Sequence, residues 1–220
     1  MIIAAIERRW LVIVVNDTRL YVMYYSDGIL RYKRRYEDDK QYVILTDYYY
    51  TGRIRTESRY KNNEAYGTWK DYDQDSRLEK EYTYINGVLD GPFIAYYKNG
   101  KIDIKGQYKN GKVDGVWKKY DSYGNLTSEG TYENGELTGW DIDYFVGTDK
   151  ILRKKHYTAG KLDGPIVEYY KSGKIKTEGQ YKDYKIDGIW KWYNEHGMLI
   201  SKKTFDNDRL IKEEVYDDNG

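Results

Sequence analysis

The chain contains no cysteine. Disulfide scaffolds, thiolate metal sites and cysteine nucleophiles are therefore excluded. Proline (two), histidine (two), phenylalanine (three) and methionine (three) are also scarce among the 220 residues. An excess of one charge is missing as well, because 37 basic residues stand against 36 acidic ones and the net charge is +1. We therefore expect no global field of the kind that draws proteins to nucleic acids or anionic membranes.

The sequence also lacks long hydrophobic runs. The apolar stretch from Trp10 to Val15 is short and follows Glu7, Arg8 and Arg9, so it does not fit an export signal. No stretch approaches the roughly 20 apolar residues that span a bilayer. These absences predict a soluble protein of the cytoplasm. We do not expect it to bind membranes.

Tyrosine is the residue that the sequence uses in abundance. The chain has 28 Tyr and 6 Trp, and the charged residues make up 33% of it. Tyrosine rings carry a hydroxyl group and tolerate partial contact with water. The composition therefore predicts a half-exposed aromatic packing layer and argues against a dry aliphatic core.

A repeat of about 24 residues organises the chain. Four columns of residues keep the same register along it. They are the aromatic column Tyr36, Tyr60, Tyr84, Tyr108, Tyr132, Tyr157, Tyr181 and Phe205; the glycine column Gly67, Gly91, Gly115, Gly139, Gly164 and Gly188; a second aromatic column at Tyr48, Tyr72, Tyr96, Tyr120, Tyr144, Tyr169 and Tyr193; and the aliphatic column Leu30, Ile54, Leu78, Ile102, Leu126, Ile151, Ile175 and Leu199.

Each repeat has the pattern of a β-hairpin. Small and apolar residues alternate at even spacing, as in Ile102, Ile104, Gly106 and Tyr108, which is the period of a strand. Asn110-Gly111 and its equivalents favour a tight turn with positive φ. The sequence predicts an all-β fold, namely an elongated, single-layer antiparallel meander of about eight hairpins, on the order of 75 Å long at ~4.8 Å per strand.

Three segments follow from this register. Residues 1–24 fit the repeat poorly and are predicted to form a capping hairpin that turns near Asn16-Asp17. Residues 25–216 are predicted to form the repeat array, and residues 217–220 a short acidic tail.

The best copy of the repeat resembles a known family. Residues Tyr97 to Tyr120 read YKNGKIDIKGQYKNGKVDGVWKKY, which is similar to the bacterial variant of the MORN repeat. Arrays of this variant are common among YwqK-family antitoxins. The resemblance implies the hairpin fold and an antitoxin or immunity role as a binding scaffold.

Motifs that could carry catalysis have stronger structural interpretations. The segment Gly106 to Lys112 approaches a phosphate-binding loop, but Val113 replaces the required Ser or Thr and no helix is predicted to follow. The Asp that precedes the glycine of the repeat, as in Asp114-Gly115, recurs identically and fits a bulged position that accepts backbone N–H groups. His156 and His196 occupy different columns, which disfavours a metal site. We expect no catalytic residue, no metal and no cofactor.

The aromatic positions are the candidate partner-binding site. Glycine and Trp lie two residues apart in Gly115-Val116-Trp117, so they share a face, and the glycine is expected to leave room for a neighbouring ring. These rings either form a ladder between hairpins or present a face for a partner protein, and one surface can do both. The predicted partner-binding residues are Trp69, Phe93, Trp117, Lys119, Trp140, Trp190 and Trp192.

Local charge varies along the chain. The basic run Arg31, Lys33, Arg34 and Arg35 has its counterpart at Arg153, Lys154 and Lys155. We interpret both runs as solvated strand faces.

The functional expectation is a non-enzymatic protein-binding repeat protein, with inhibition of a toxin partner by occlusion as the favoured form. No nucleic acid is expected to bind. Two alternatives remain, a membrane-surface scaffold for lipid headgroups and a saccharide-binding repeat module. The first requires a basic stripe beside exposed aromatic rings, and the second requires export.

Overall fold

A computed structural model describes residues 3–7, 10–15, 18–37 and 41–216, with side chains described from residue 20 onward. The backbone in these ranges forms strands and turns, with no helix. No helix able to cross a membrane occurs among these residues. The chain divides into two compact units, residues 1–112 (unit 1) and residues 113–220 (unit 2).

Unit 1 contains an antiparallel meander in which each strand pairs with its neighbour along the chain, and β6 pairs with both β7 and β8. Its strands are β1 (Ile3–Glu7), β2 (Trp10–Val15), β3 (Thr18–Tyr24), β4 (Leu30–Glu37), β5 (Tyr42–Tyr48), β6 (Ile54–Lys61), β7 (Glu64–Ala65), β8 (Gly67–Tyr72), β9 (Leu78–Ile85), β10 (Val88–Tyr96) and β11 (Ile102–Lys109).

Unit 2 repeats the same topology. Its strands, also paired antiparallel in chain order, are β12 (Lys112–Tyr120), β13 (Leu126–Glu133), β14 (Glu136–Tyr144), β15 (Ile151–Thr158), β16 (Lys161–Tyr169), β17 (Ile175–Lys182), β18 (Lys185–Tyr193), β19 (Leu199–Asp206) and β20 (Arg209–Val215). The predicted all-β antiparallel hairpin meander is therefore confirmed within each unit.

The tight turns inside the hairpins are as the sequence predicts. Asn110 and Gly111 have φ angles of 50° and 78°. Both central residues of a type I′ turn need positive φ, which matches the right-handed twist of the flanking strands. The pair Asp183-Tyr184 has the same geometry without glycine, at 48° and 67°. The Tyr184 hydroxyl donates a hydrogen bond to the Gly160 carbonyl of the preceding hairpin at 2.7 Å.

The Asp-Gly position is an irregularity in the strand pairing, as predicted. The register of β9 against β10 shifts between Leu89 and Phe93, and Gly91 lies there with a φ of +128°. A Cβ atom on Gly91 would lie 3.1 Å from the Cβ of Thr83 on the facing strand. Glycine is therefore required by both its backbone angle and the close approach. Asp90 accepts a long bond of 3.5 Å from the backbone N–H of Asn110.

The turns between hairpins use two kinds of side chain at one repeat position. Tyr49 and Tyr170 each donate a hydrogen bond to a carbonyl 23 residues later, at 2.8 and 2.7 Å. Asp73 and Asp121 instead accept backbone N–H bonds within their own turns. These backbone bonds to Asp73, first from Arg77, lower the pKa of its carboxyl. Either choice fixes the turn, by linking it to the next hairpin or by closing it locally.

The two ends of the chain are only partly described. The first 24 residues contain three strands, of which β2 and β3 pair from Trp10↔Met23 to Val15↔Thr18. The predicted turn residues Asn16 and Asp17, and the predicted tail of residues 217–220, lie outside the described residues.

Few described side chains are fully buried. The buried apolar residues are Val22, Val43, Ile166 and Trp190, each at 6% exposure or less, together with Ser58 and Thr177. Most aromatic side chains in the strands are half-buried. The packing layer is thus partly wet, as the tyrosine content predicts.

Candidate protein-binding face

One face of the sheet in unit 1 carries the predicted aromatic residues Trp69 and Phe93. Both pair across the strands with Tyr82, so all three side chains lie on the same side. The Trp69 ring packs against Tyr60, Tyr82 and Tyr84, with centroid distances of 5.2, 6.2 and 4.8 Å. We call this side the aromatic face of unit 1.

The corresponding face of unit 2 carries Trp117, Lys119, Trp190 and Trp192. A continuous cross-strand row joins its two ends. The row runs Lys119, Ser128, Asp143, Arg153, Glu168, Thr177 and Trp192. Trp117 and Trp190 lie two residues from the row ends on the same strands and therefore on the same face. We call this side the aromatic face of unit 2.

Trp140 corrects the predicted grouping, because it lies on the opposite face. It pairs with His156, while Gly139 before it and Asp141 after it pair on the aromatic side. The Trp140 and His156 rings make an edge contact at 5.4 Å. Trp140 immediately follows the bulge glycine, whereas Trp117 and Trp190 follow theirs by two residues, and strand alternation separates them. Trp140 is 39% exposed.

Trp190 is a packing residue more than a contact surface. It is 6% exposed, and its Nε1 donates a hydrogen bond of 3.1 Å to the Gln180 carbonyl on the neighbouring strand. The ring lies over Gly179, where an added Cβ would overlap the indole. The glycine that makes room for the ring is therefore Gly179 on the neighbouring strand β17. Gly188, two residues before Trp190 on the same strand, instead lies against the Gln180 side chain.

Trp192 and Trp117 remain half-exposed, and Lys119 is exposed. The Trp192 ring stacks on Trp190 at 6.0 Å and 28°, and the Lys203 ammonium lies 5.6 Å from its centroid. These contacts hold the ring in place while part of its face stays accessible to a partner.

A network of charged side chains lies between β12 and β18, and the sequence does not predict it. Lys155 binds Asp141 at 2.8 Å, and Arg153 binds Asp143 at 2.7 Å and approaches Glu168 at 3.9 Å. The Lys155 and Asp141 side chains are 19% and 21% exposed. Burial is the largest single influence on the pKa of Lys155 and lowers it, but the bond to Asp141 and the nearby negative charges together outweigh burial, so the pKa is raised. We call these five residues the ion network.

The signal for the ion network was present in the repeat columns. Asp141 occupies the position of Trp117 and Trp190, and Lys155 occupies the position of Gly130 and Gly179. Trp117 faces Gly130 across β12 and β13, whereas Asp141 faces Lys155 across β14 and β15, so an ion pair stands there in place of a ring and a glycine. The basic run of residues 153–155 is thus only in part the solvated face that the sequence predicts, because Arg153 and Lys155 pair with Asp143 and Asp141.

The remaining candidate residues do not assemble into a reactive centre. His156 Nδ1 lies 3.0 Å from the Asp163 carbonyl, beside the bulge at Gly164. His196 is exposed in a turn. In the described part of the chain, no group of three or more His, Cys, Asp or Glu side chains could hold a metal ion.

Comparison with protein families matches four segments of the chain to the MORN repeat variant, at residues 89–110, 113–134, 162–183 and 186–207. Each segment covers one strand, the following turn and the next strand. Comparison with curated proteins gives no significant match. The matched segments leave out residues 135–161, which contain Trp140 and four of the five ion-network residues. These four segments are therefore similar to the MORN repeat variant, and most of the ion network lies between them.

Proposed function

We propose that the chain is a non-enzymatic protein-binding repeat protein, and that it neutralises a toxin by covering that partner's functional surface with the aromatic face of unit 2. MORN-type repeats are compatible with such a binding role. The observation that carries the proposal is the row between Lys119 and Trp192, which places half-exposed rings at both ends of the ion network.

The composition of this face suits a protein interface. Aromatic anchors supply contact area at low entropic cost, because a Trp or Tyr ring has only two side-chain torsions to fix. Charged groups held by a rigid scaffold supply specificity through electrostatic complementarity. Paired antiparallel strands fix both sets in advance, so little ordering remains to be done on binding.

The width of the surface is also adequate. Strands β12 and β18 are six strand spacings apart, which is about 29 Å at ~4.8 Å each. Standard protein interfaces involve about 800 Å² on each partner. The strands have up to nine residues and are about 30 Å long, so a partner that covers the face from Trp117 to Trp192 would bury an area of this order.

The test is affinity capture with charge variants. The tagged chain is expressed in its native host, purified, and analysed for a stoichiometric partner by mass spectrometry. Lys119→Glu places a negative charge beside Trp117 on the aromatic face, and we expect it to weaken the complex about tenfold or more. Expression of the captured partner alone should arrest growth, and co-expression with the wild-type chain should restore it.

Lys182→Glu is the matched control, because Lys182 is an exposed lysine on the opposite face of unit 2. Lys118 is unsuitable, since its ammonium lies 3.1 Å from Glu129 and a substitution would break that pair. Loss of the partner in Lys182→Glu but not in Lys119→Glu would mean that the opposite face binds. A captured partner that is harmless when expressed alone would refute the toxin role and leave the binding role standing.

A further inference from the structure

Unit 1 has a basic cavity on the face opposite its aromatic face. The cavity has a volume of about 470 Å³ and is lined by residues of β3, β4, β5, β6 and β8. One cross-strand row in it runs Lys33, Thr46, Glu57 and Lys70. Lys70 pairs with Glu81, one residue from the Tyr82 that marks the aromatic face, so this row faces the other way.

A second row, two residues further along the strands, contains Arg35, Ile44 and Arg59. Leu20 pairs with Arg35 at its end. The lining therefore combines four cations with one carboxylate and two aliphatic side chains. A surface of this composition attracts an anion that also carries apolar groups.

The two arginines depart from the repeat. The same position in the later repeats holds a neutral side chain or a histidine, at Thr83, Gln107, Thr131, His156, Gln180 and Thr204. This position faces the bulge glycine, and the Cδ of Arg59 lies 3.7 Å from where a Cβ on Gly67 would be. Because Thr and Gln serve the fold at this position elsewhere, the hairpin does not need the positive charges there.

The cations differ in how far they are already neutralised. Arg35 binds Glu37 at 2.7 Å, and Lys70 binds Glu81 at 3.2 Å. The Lys33 ammonium lies 5.6 Å from the Tyr48 ring centroid. Arg59 makes no ion pair within the part of the chain that the structure describes, and the carboxylate of Glu57 accepts the Tyr72 hydroxyl at 2.9 Å. Positive charge is thus left over in the cavity.

We propose that this cavity binds an extended acidic segment of a protein partner. Arg35 and Arg59 flank Ile44 two strands apart, at about 9.6 Å. An extended chain advances about 3.3 Å per residue and its alternate side chains share one side, so carboxylates four residues apart, at about 13 Å, lie within reach of the two flexible arginine side chains. The apolar side chain between them contacts Ile44. A single phosphate needs donors that converge on one point, whereas these cations are spread over three strands.

The test measures the binding of fluorescein-labelled hexaglutamate to the full chain by anisotropy, at low ionic strength, where exposed charges are weakly screened. Hexalysine is the charge control, and hexathymidylate represents a nucleic-acid ligand. We expect hexaglutamate to bind and the two other probes not to bind. In the double variant Arg35→Thr, Arg59→Gln, which introduces residues that later repeats carry, we expect affinity to fall about tenfold or more.

The matched control is Lys109→Gln, which removes an exposed cation elsewhere in unit 1 and should leave the affinity unchanged. The double variant should keep the melting temperature of the wild type, and if it does not, the same loss is expected from Arg59→Gln alone. The proposal is overturned if the Arg59 variants bind hexaglutamate as well as the wild type does. It is also overturned if hexathymidylate binds as tightly, or if millimolar inorganic phosphate displaces the peptide. Since the cavity lies in unit 1, failure of this proposal leaves the proposal for unit 2 untouched.

Discussion

Trp190 and Trp192 stand two residues apart on one strand and have different roles. The Trp190 ring is buried over Gly179 and bonded to the Gln180 carbonyl, so it ties β18 to β17. Trp192 stacks on Trp190 and stays half-exposed. One indole therefore supports the other. The inner ring contributes to folding, and the outer ring is available for contact.

Gly179→Ala tests this arrangement at the scale of one methyl group. The added Cβ would overlap the Trp190 ring, so the ring or the strand must shift. Overpacking of this kind costs about 1–3 kcal/mol of the free energy of unfolding. We expect that loss of free energy in urea unfolding. Backbone strain should not add to it, because Gly179 is not among the residues with positive φ.

The control for this prediction is the same substitution in a Trp190→Ile background. Ile is the residue that the preceding repeat places at this position, at Ile166, which pairs with Gly179 from the other side. There Gly179→Ala should cost less than about 0.5 kcal/mol, because the indole has gone. Equal costs in both backgrounds would show that Trp190 does not lie over Gly179.

At the scale of elements, neighbouring strands are joined by a recurring arrangement of Lys, Glu and Tyr on the face opposite the aromatic side. In unit 2, Glu129 accepts the Tyr144 hydroxyl at 2.7 Å and lies 3.1 Å from the Lys118 ammonium. Glu178 has the same two kinds of partner in Lys191 and Tyr193, at 2.9 and 2.7 Å. These contacts connect neighbouring strands by charge-assisted bonds.

The arrangement makes stability depend on pH. The Lys191 ammonium, and after it the Tyr193 hydroxyl, hold the pKa of Glu178 below its ordinary value of 4.5. A lowered pKa in the folded state stabilises the protein above the unfolded pKa, and this contribution is lost as pH falls through the folded value. Glu178→Gln should therefore flatten the decline in unfolding free energy below about pH 4.5.

Urea unfolding between about pH 3 and pH 6 checks this prediction. Glu133→Gln is the matched control, since Glu133 is an exposed glutamate at the end of β13. It should leave the acid decline as steep as in the wild type. An equally steep decline in Glu178→Gln would mean that the Lys191 and Tyr193 contacts do not form in solution.

At the scale of the whole molecule, the repeat columns predict the fold because the residues of each column have the same structural role in every repeat. Asn110-Gly111 specifies a primed turn, and Gly91 specifies a bulge, wherever they recur. The two proposed binding surfaces lie where the columns change, so the columns do not predict them. Trp140 lies on the opposite face because it directly follows the bulge glycine, whereas Trp117 and Trp190 follow theirs by two residues.

The ion network and the basic cavity could not be predicted from the sequence. Each is formed by side chains from several strands that are far apart in sequence, as in the row from Lys119 to Trp192. Their common signal is a coordinated exchange within the columns, of Trp and Gly for Asp141 and Lys155 in one case, and of neutral residues for Arg35 and Arg59 in the other. Because of these exchanges, the two units carry different charged side chains although their strands pair in the same way.

The most direct test of the account is hydroxyl-radical footprinting of unit 2 with and without the captured partner. Trp117 and Trp192 lie on the aromatic face, and Trp140 lies on the opposite face as a built-in control. We predict that the partner protects Trp117 and Trp192 from oxidation and leaves Trp140 as reactive as in the free chain. Protection of Trp140 with no change at Trp117 and Trp192 would contradict the account.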